Sequence, residues 1–522
     1  MAPSDGGAKF ELLENSGHLG LPLFFVLPVA IYFLAWVVYT QLFHPLSRIP
    51  GPFWGSVSRL WQVYHISSGR IEYVQRELHK RYGPVVRIAP DEVLCSDPEA
   101  IKTVYPSQSP PVKTNFYPPW GYPGISKYAD LFSETNEQLH SQRRRIVNNV
   151  FSLSTVLSLE EYINKCSELF IRRMGEYADN QSVMDIGEWV QWYAFDVIGE
   201  LFFGRMFGFM EGACDHGNYI EALDSFLPFI TTMTMTPKPY QGLFKLWAMF
   251  SPSSRKAMQT MPKIAEVAKT CVADRIQLEK EQGSVRSDLL QKFLTILQTK
   301  GGQVDFGMGE VELLSLTALF AGSDTTAIAM RACFYYLLKN PAAYAELQKE
   351  LDEAAETGQI SKPVKFSEAS RLPLLCATIK EALRMHPAVG LQLPRVSPAG
   401  GLVVAGRFIP AGYRVGMNAA VLGYDEATYG SDASEFRPNR WLESEKGDQI
   451  QASKMDRNSL VFGAGTRTCI GKNISLAEIH KLVPLVLLNF HLEPVDPHKT
   501  WQTQNFWFNK QIGIRVRVTR RS

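Results

Sequence analysis

The chain has no C-x-x-C pair, and its seven cysteines (Cys95, Cys166, Cys214, Cys271, Cys333, Cys376 and Cys469) are sparse and odd in number. A disulfide framework or a zinc ribbon needs closer, paired spacing, so both are set aside. There is no charge excess either: 54 Lys and Arg against 52 Asp and Glu leave +2. A nucleic-acid binder would show a basic surplus or stripe, and none is present. Internal repeats and low-complexity tracts are absent too. With 45% hydrophobic and 20% charged residues over 522 positions, the composition is that of a folded protein with a substantial core. Six of the cysteines sit in apolar or helical contexts and are expected to be buried thiols facing a reducing compartment.

Charge is also missing locally. Between Glu14 and Arg48 there is no Asp, Glu, Lys or Arg, and residues 19–43 read LGLPLFFVLPVAIYFLAWVVYTQLF. A bilayer core about 30 Å thick takes roughly 20 apolar residues, so this run predicts a membrane-spanning helix. A cleavable signal peptide would want a positive leader and a small-x-small site. The leader instead carries Asp5, Lys9, Glu11 and Glu14, a net −2. Arg48 and Arg59 follow the run, which places the remainder in the cytosol by the positive-inside rule. The expected division is a lumenal segment at 1–18, an anchor at 19–43, a stiff Pro-rich connector at 44–56 and a single large domain at 57–522.

Within that domain, residues 84–96 read as strands, 132–385 as mostly helix, and 392–423 as strand-rich. A helix and a hairpin close the chain near 490–518. The clearest helix runs from Glu310 to Lys339, about 45 Å at 1.5 Å per residue, and stops at Asn340-Pro341. Glu312, Asp324 and Arg331 make it a poor second span and a good buried core helix.

Residues 462–475, FGAGTRTCIGKNIS, pose a sharper question. Gly463, Gly465 and Gly471 allow close backbone approach and positive φ. Cys469 stands just ahead of an expected helix, whose free N–H groups and dipole favour a thiolate. Such a thiolate is what cysteine ligation of haem requires, and Arg467 can answer an anionic propionate. A dinucleotide fingerprint fails here, because Thr468 occupies the third glycine position. The full spacing F-x-x-G-x-R-x-C-x-G, from Phe462 to Gly471, resembles the signature of the cytochrome P-450 superfamily of haem-thiolate monooxygenases.

Other motifs of that family follow in order. AGSDTT (321–326) resembles its oxygen-activation motif. Dioxygen cleavage in an apolar cavity needs delivered protons, and Asp324 beside Thr325 can relay them. Ala321 and Gly322 leave room, and a threonine bonding back to the preceding turn would open the helix. Glu381 and Arg384 share a helix face. With Arg440 in FRPNRW they match a buried charge network that the family uses structurally. His140 and Arg144 stand where the family usually offers a tryptophan and an arginine to a propionate, and Arg395 matches the position for the other propionate. Arg143 and Arg145 are expected to be solvated or to face a redox partner, and Lys472, Lys481 and Arg437 are further docking candidates. In finer wording the sequence resembles fungal, microsomal enzymes of the pisatin-demethylase-like group.

The resemblance implies a mainly α fold with a smaller β-rich part, a long central helix over haem b, and Cys469 as the axial ligand. It further implies dioxygen and NADPH-derived electrons from a separate flavoprotein reductase. The apolar small-molecule substrate would be met at 115–125, 225–237, 388–393 and 505–508. The implied location is the endoplasmic reticulum membrane, with one span and a cytosolic catalytic domain. Two other readings stay open: a haem-thiolate isomerase or dehydratase that uses no dioxygen, and a non-catalytic haem-binding membrane protein.

Overall fold

Helix starts in the structure are written into the sequence as side-chain caps and N-terminal prolines. In this computed structural model, which describes residues 26–283, 286–447 and 449–521, Asn136 accepts from the Gln138 and Leu139 N–H groups at 3.0 and 3.1 Å to open helix Glu137–Val147. Asp185 does the same for helix Ile186–Phe202, and Asp288 for Leu289–Val304. Pro341 and Pro373 occupy the first turn of their helices, where a missing N–H costs nothing.

The central helix spans Met308–Lys339 and ends at Asn340, as its sequence predicts. It packs along Ile186–Phe202 and also meets Lys472–Asn489 and Pro373–Met385. Its long apolar stretch meets a membrane-span criterion by composition, but most of that stretch is buried in protein, so it is a core helix. Gly322 is required by that packing: a Cβ there would lie 2.6 Å from Ile198 Cδ1. The room it makes is for the neighbouring helix, not for a ligand. Thr325 bonds back to Ala321, yet the helix runs unbroken.

Strands form small sheets at the edges of the helical body. Val85–Ala89, Glu92–Cys95, Arg414–Gly416 and Arg395–Val396 make one sheet in that order, parallel only at its central pair. Val183–Asp185, Arg515–Arg520 and Phe490–Pro494 make another. The expected closing hairpin is two units: Phe490–Pro494 pairs with Arg515–Arg520, and a separate hairpin, Gln502–Phe506 with Phe508–Ile512, projects between them.

Val26–Phe43 is helical and exposed along nearly its whole length, which makes it a candidate membrane span. The rest of the predicted anchor, 19–25, and the segment 1–18 lie outside the described residues. The connector differs from expectation. It is not a free extended spacer: Pro50 accepts from Arg87 N–H at 2.8 Å, and Phe53–Val57 turns into a short helix. Trp36 Nε1 donates to the Val57 carbonyl at 2.9 Å and buried Arg87 reaches the Thr40 carbonyl at 2.8 Å, so the end of this helix is fastened to the body.

Candidate functional site

The cysteine loop is a closed turn. Cys469 N–H donates to the Phe462 carbonyl at 2.8 Å, and Thr468 N–H and hydroxyl both return to the Gly465 carbonyl, at 3.2 and 2.9 Å. Gly463 and Gly465 hold positive φ, +69° and +62°. At Gly465 a Cβ would also collide with the Tyr105 and Pro106 carbonyl oxygens, so no other residue fits. Gly471 differs from expectation, with φ −82° as the cap of helix Lys472–Asn489.

Cys469 is solvent-exposed, although the protein packed around the loop desolvates its thiol. Desolvation raises its thiol pKa, opposed by hydrogen bonds from the Gly471 and Lys472 N–H groups and by the charges of Arg144 and Lys472. The helix terminus therefore points its donors at sulfur as predicted, but does not win against burial on its own. A bound metal cation would supply the missing charge and deprotonate the thiol outright. Arg144 reinforces the loop by donating to the Thr468 carbonyl at 2.7 Å.

Beside the loop stands a wall of cations. Arg467 is engaged by Glu137, with Nε at 3.0 and 3.1 Å and Nη2 at 2.7 Å, and also donates to the Leu131 carbonyl. Arg395 is buried and donates to the Tyr117 hydroxyl at 2.9 Å. Lys113, which the motif reading missed, is buried among them and donates to the Phe132 carbonyl. Its pKa falls well below the ordinary lysine value through desolvation and through Arg395 and Arg467, which outweigh Asp130 and Glu137. His140 is buried against the same cations and pushed down to about 3, chiefly by desolvation, then by Arg467, Lys113, Arg144 and Arg395. It is a neutral imidazole at pH 7, and its Nδ1 has no partner among the described residues. Arg143 has a different job: it donates to the Val304 and Asp305 carbonyls at 3.1 and 2.6 Å, closing helix Leu289–Val304. Lys481 is corrected as a docking residue, because it is fully buried on Glu160 and the Val364 carbonyl.

On the central helix, Ala321 is exposed and Thr325 partly so, within an otherwise buried stretch. Thr325 Oγ1 donates to the Ala321 carbonyl at 2.7 Å. Asp324 is buried, accepts from Gln191 Nε2 at Oδ1, and keeps Oδ2 without a partner among the described residues. Desolvation raises its pKa, with Asp224 adding to the rise and Lys510, Arg331 and Gln191 opposing it. Tyr122 stacks on Phe320, one residue before Ala321, at 5.8 Å between ring centroids. Trp507, at the hairpin turn with φ +82°, packs on Phe116, Trp120 and Phe132. Within 115–125 only Phe116 and Tyr117 are wholly buried and belong to the core; the other residues are partly or fully exposed.

The third group is closed on itself. Glu381 accepts five hydrogen bonds: two from Arg384 at 2.8 Å, and one each from Arg440 Nε at 2.8 Å, Trp441 Nε1 at 2.9 Å and Arg437 N–H at 3.0 Å. Arg384 continues to the Gly423, Ala433 and Glu435 carbonyls, and Arg440 to Asp432 and the Tyr429 carbonyl. Despite desolvation, the bonds and charges of Arg384 and Arg440 hold the Glu381 pKa below the ordinary range.

These residues fit a haem. Cys469 offers a single exposed sulfur at the end of its loop, and among the described residues no group of three or more His, Cys, Asp and Glu is gathered as a metal site. The cation wall, with a buried lysine short of countercharge, suits a haem's carboxylates. The class so defined is a haem-thiolate enzyme. A family model for cytochrome P-450 matches residues 47–515, and the chain belongs to that family. It is 49% identical over 490 residues to the cytochrome P-450 monooxygenase gsfF of Penicillium aethiopicum, covering 94% of this chain and 96% of that one. Pisatin demethylase of Fusarium vanettenii is 34% identical (97% and 95% covered), and the cytochrome P-450 monooxygenase cicH of Emericella nidulans 35% (95% and 98%). The chain is a fungal-type cytochrome P-450 monooxygenase with pisatin-demethylase-like relatives.

Proposed function

We propose that the protein is a membrane-anchored monooxygenase of fungal secondary metabolism. It oxidises an apolar small molecule with electrons from a separate NADPH-dependent flavoprotein reductase. The observation that carries this is the pairing of one outward-facing thiol, braced by helix-terminal N–H groups, with an acid–hydroxyl pair on the central helix. The exposed apolar helix Val26–Phe43 supports a single-pass anchor in the endoplasmic reticulum, within a division of 1–18 lumenal, 19–43 anchor, 44–56 connector and 57–522 catalytic domain.

Haem bound here supplies the activation of dioxygen and the transfer of one oxygen atom to substrate. Cys469 would hold its iron through the thiolate sulfur, and Phe462 and Gly465 fix the turn that presents that sulfur. His140, Arg395 and Lys113 would meet its carboxylates, with Arg467 held on Glu137 and Arg144 bracing the loop. Thr325 keeps its hydroxyl at the open face of the helix, and Asp324 holds a proton more readily than an ordinary carboxyl. Glu381, Arg384 and Arg440 are structural. Apolar and aromatic side chains such as Tyr122 and Phe320 support an apolar ligand.

The acid–threonine pair favours this over an isomerase or dehydratase, which has no use for delivered protons. The test is stoichiometry: microsomes holding the full chain and a reductase should consume NADPH and dioxygen together with candidate substrate. Product formed without either would overturn the assignment.

A further inference from the structure

Helix Ile186–Phe202 buries three polar side chains, Gln191, Asp196 and Glu200, and among the described contacts Gln191 is the one whose side chain bonds to the central helix. Gln191 lies in the run EWVQWYAF, is 3% exposed, and uses both ends of its amide. Its Nε2 donates to Asp324 Oδ1, and its Oε1 accepts from Arg331 Nη2 at 2.7 Å. Arg331 is itself fixed, with Nε donating to the Gly187 carbonyl at 2.8 Å. Asp324 and Arg331 are seven residues apart on one helix, both buried, and are joined only through this amide among the described contacts. One polar atom on each side has no partner among the described residues, Asp324 Oδ2 and Arg331 Nη1.

Seven residues of helix set Asp324 and Arg331 about 10.5 Å apart along the axis, and the Gln191 amide bridges that gap with one hydrogen bond to each. It also orients the carboxyl, because an amide N–H bonded to Oδ1 leaves Oδ2 as the oxygen that can carry a proton. We propose that Gln191 is the positioning residue of the proton relay: its amide, anchored on Arg331, holds Asp324 by Oδ1 and leaves Oδ2 free to take a proton from water and pass it towards Thr325. The relay moves protons only, and each one that leaves Oδ2 is replaced from solvent. This inference rests on the assignment of Asp324 as proton donor.

The charged groups around the pair are few. Lys510 and Asp224, which pair with each other at 2.6 Å, act on Asp324 from the terminal hairpin and from helix Tyr219–Met235. Asp185 and Glu188 act on Arg331 from the start of the Gln191 helix, together with Asp224. None of these is hydrogen-bonded to Asp324 among the described contacts, which leaves Gln191 as its direct partner.

The experiment uses the haem-loaded full chain and three variants, D324N, Q191L and Q191E. Infrared spectra in light and heavy water identify the buried carboxyl band as the one lost in D324N. Q191E keeps the acceptor for Arg331 but lacks the N–H for Asp324, so the band should move, while the reduced carbon monoxide spectrum stays as in the parent. NADPH oxidation with a reductase and dioxygen as sole acceptor should slow about tenfold in D324N and several-fold in Q191E, with a larger solvent isotope effect in both. Q191L should match Q191E; if Q191L does not take up haem, Q191E alone carries the decision. An unmoved band and parental kinetics in Q191E overturn the role of Gln191. Parental kinetics in D324N instead overturn the role of Asp324 itself, whatever Q191E shows.

Discussion

Glu381 and Lys113 are both buried charges surrounded by opposite and like charge, but their surroundings are finished to different degrees. The Glu381 carboxylate takes five donors, and Arg384 and Arg440, which supply three of them, spend further N–H groups on backbone carbonyls and, for Arg440, on the Asp432 carboxylate. Lys113 lies among Arg395 and Arg467, with its charge suppressed by them and by desolvation, and with neighbouring His140 Nδ1 unpaired among the described residues. A saturated network has nothing left to offer a ligand, so its role is to hold the chain. An unsaturated, like-charged cluster is costly unless something else completes it, and here a haem's carboxylates would do so.

The largest effect expected from breaking this contrast is at the saturated end. Glu381→Gln leaves Arg384 buried without its anion and removes one of the carboxylates that Arg440 meets, and should cost about 3–5 kcal/mol of stability in denaturant unfolding of the apoprotein. At the unsaturated end the sign should reverse between the two states of one variant. Lys113→Met should stabilise the apoprotein by about 1–3 kcal/mol, since an isosteric apolar group removes an unmatched charge. The same variant should release haem about tenfold faster, equivalent to roughly 1.4 kcal/mol, in haem transfer to apomyoglobin.

A third buried charge sharpens the comparison, because Glu478 has neither partners nor a cluster. Both its oxygens are unpaired among the described residues, and desolvation alone raises its pKa well above the carboxylate range. The folded chain therefore keeps a proton that the unfolded chain releases. Its contribution to stability is whole below the ordinary carboxylate pKa and declines as pH rises towards the raised value. Glu478→Gln should be nearly neutral at pH 4 and stabilise by about 1–3 kcal/mol at pH 8, measured by thermal unfolding across that range. The smallest effect belongs to Arg143, whose charge caps a helix end. Arg143→Gln should cost about 0.5–1 kcal/mol and leave the rate of reduction by the reductase unchanged, which a docking role would not allow.

Much of the site was legible because it is local. Phe462, Gly465, Arg467 and Cys469 lie within eight residues, and Glu381 with Arg384 within four, so spacing alone displays them. Their partners were not legible. Glu137 meets Arg467 across 330 residues and Gln191 meets Asp324 across 133, contacts that only the fold creates. A faint signal did exist for two of them: Lys113 is the one charge between Lys102 and Lys127, and Gln191 interrupts the uncharged run Trp189–Phe195, which is otherwise apolar and aromatic. Reading both as polar intruders in apolar surroundings would have flagged them. The docked connector escaped notice for a similar reason, since Pro50 and Gly51 find their partner in a strand at Arg87. The central helix was read nearly to the residue, because its stop is a local Asn-Pro.

The measurement closest to the central claim is the absorption spectrum of the reduced protein under carbon monoxide, with and without the Cys469 sulfur. The native chain should show a strongly red-shifted Soret band, and Cys469→Ser should lose that shift while still binding some haem. An identical spectrum in the two proteins, or a native chain that takes up no haem at all, would contradict the account.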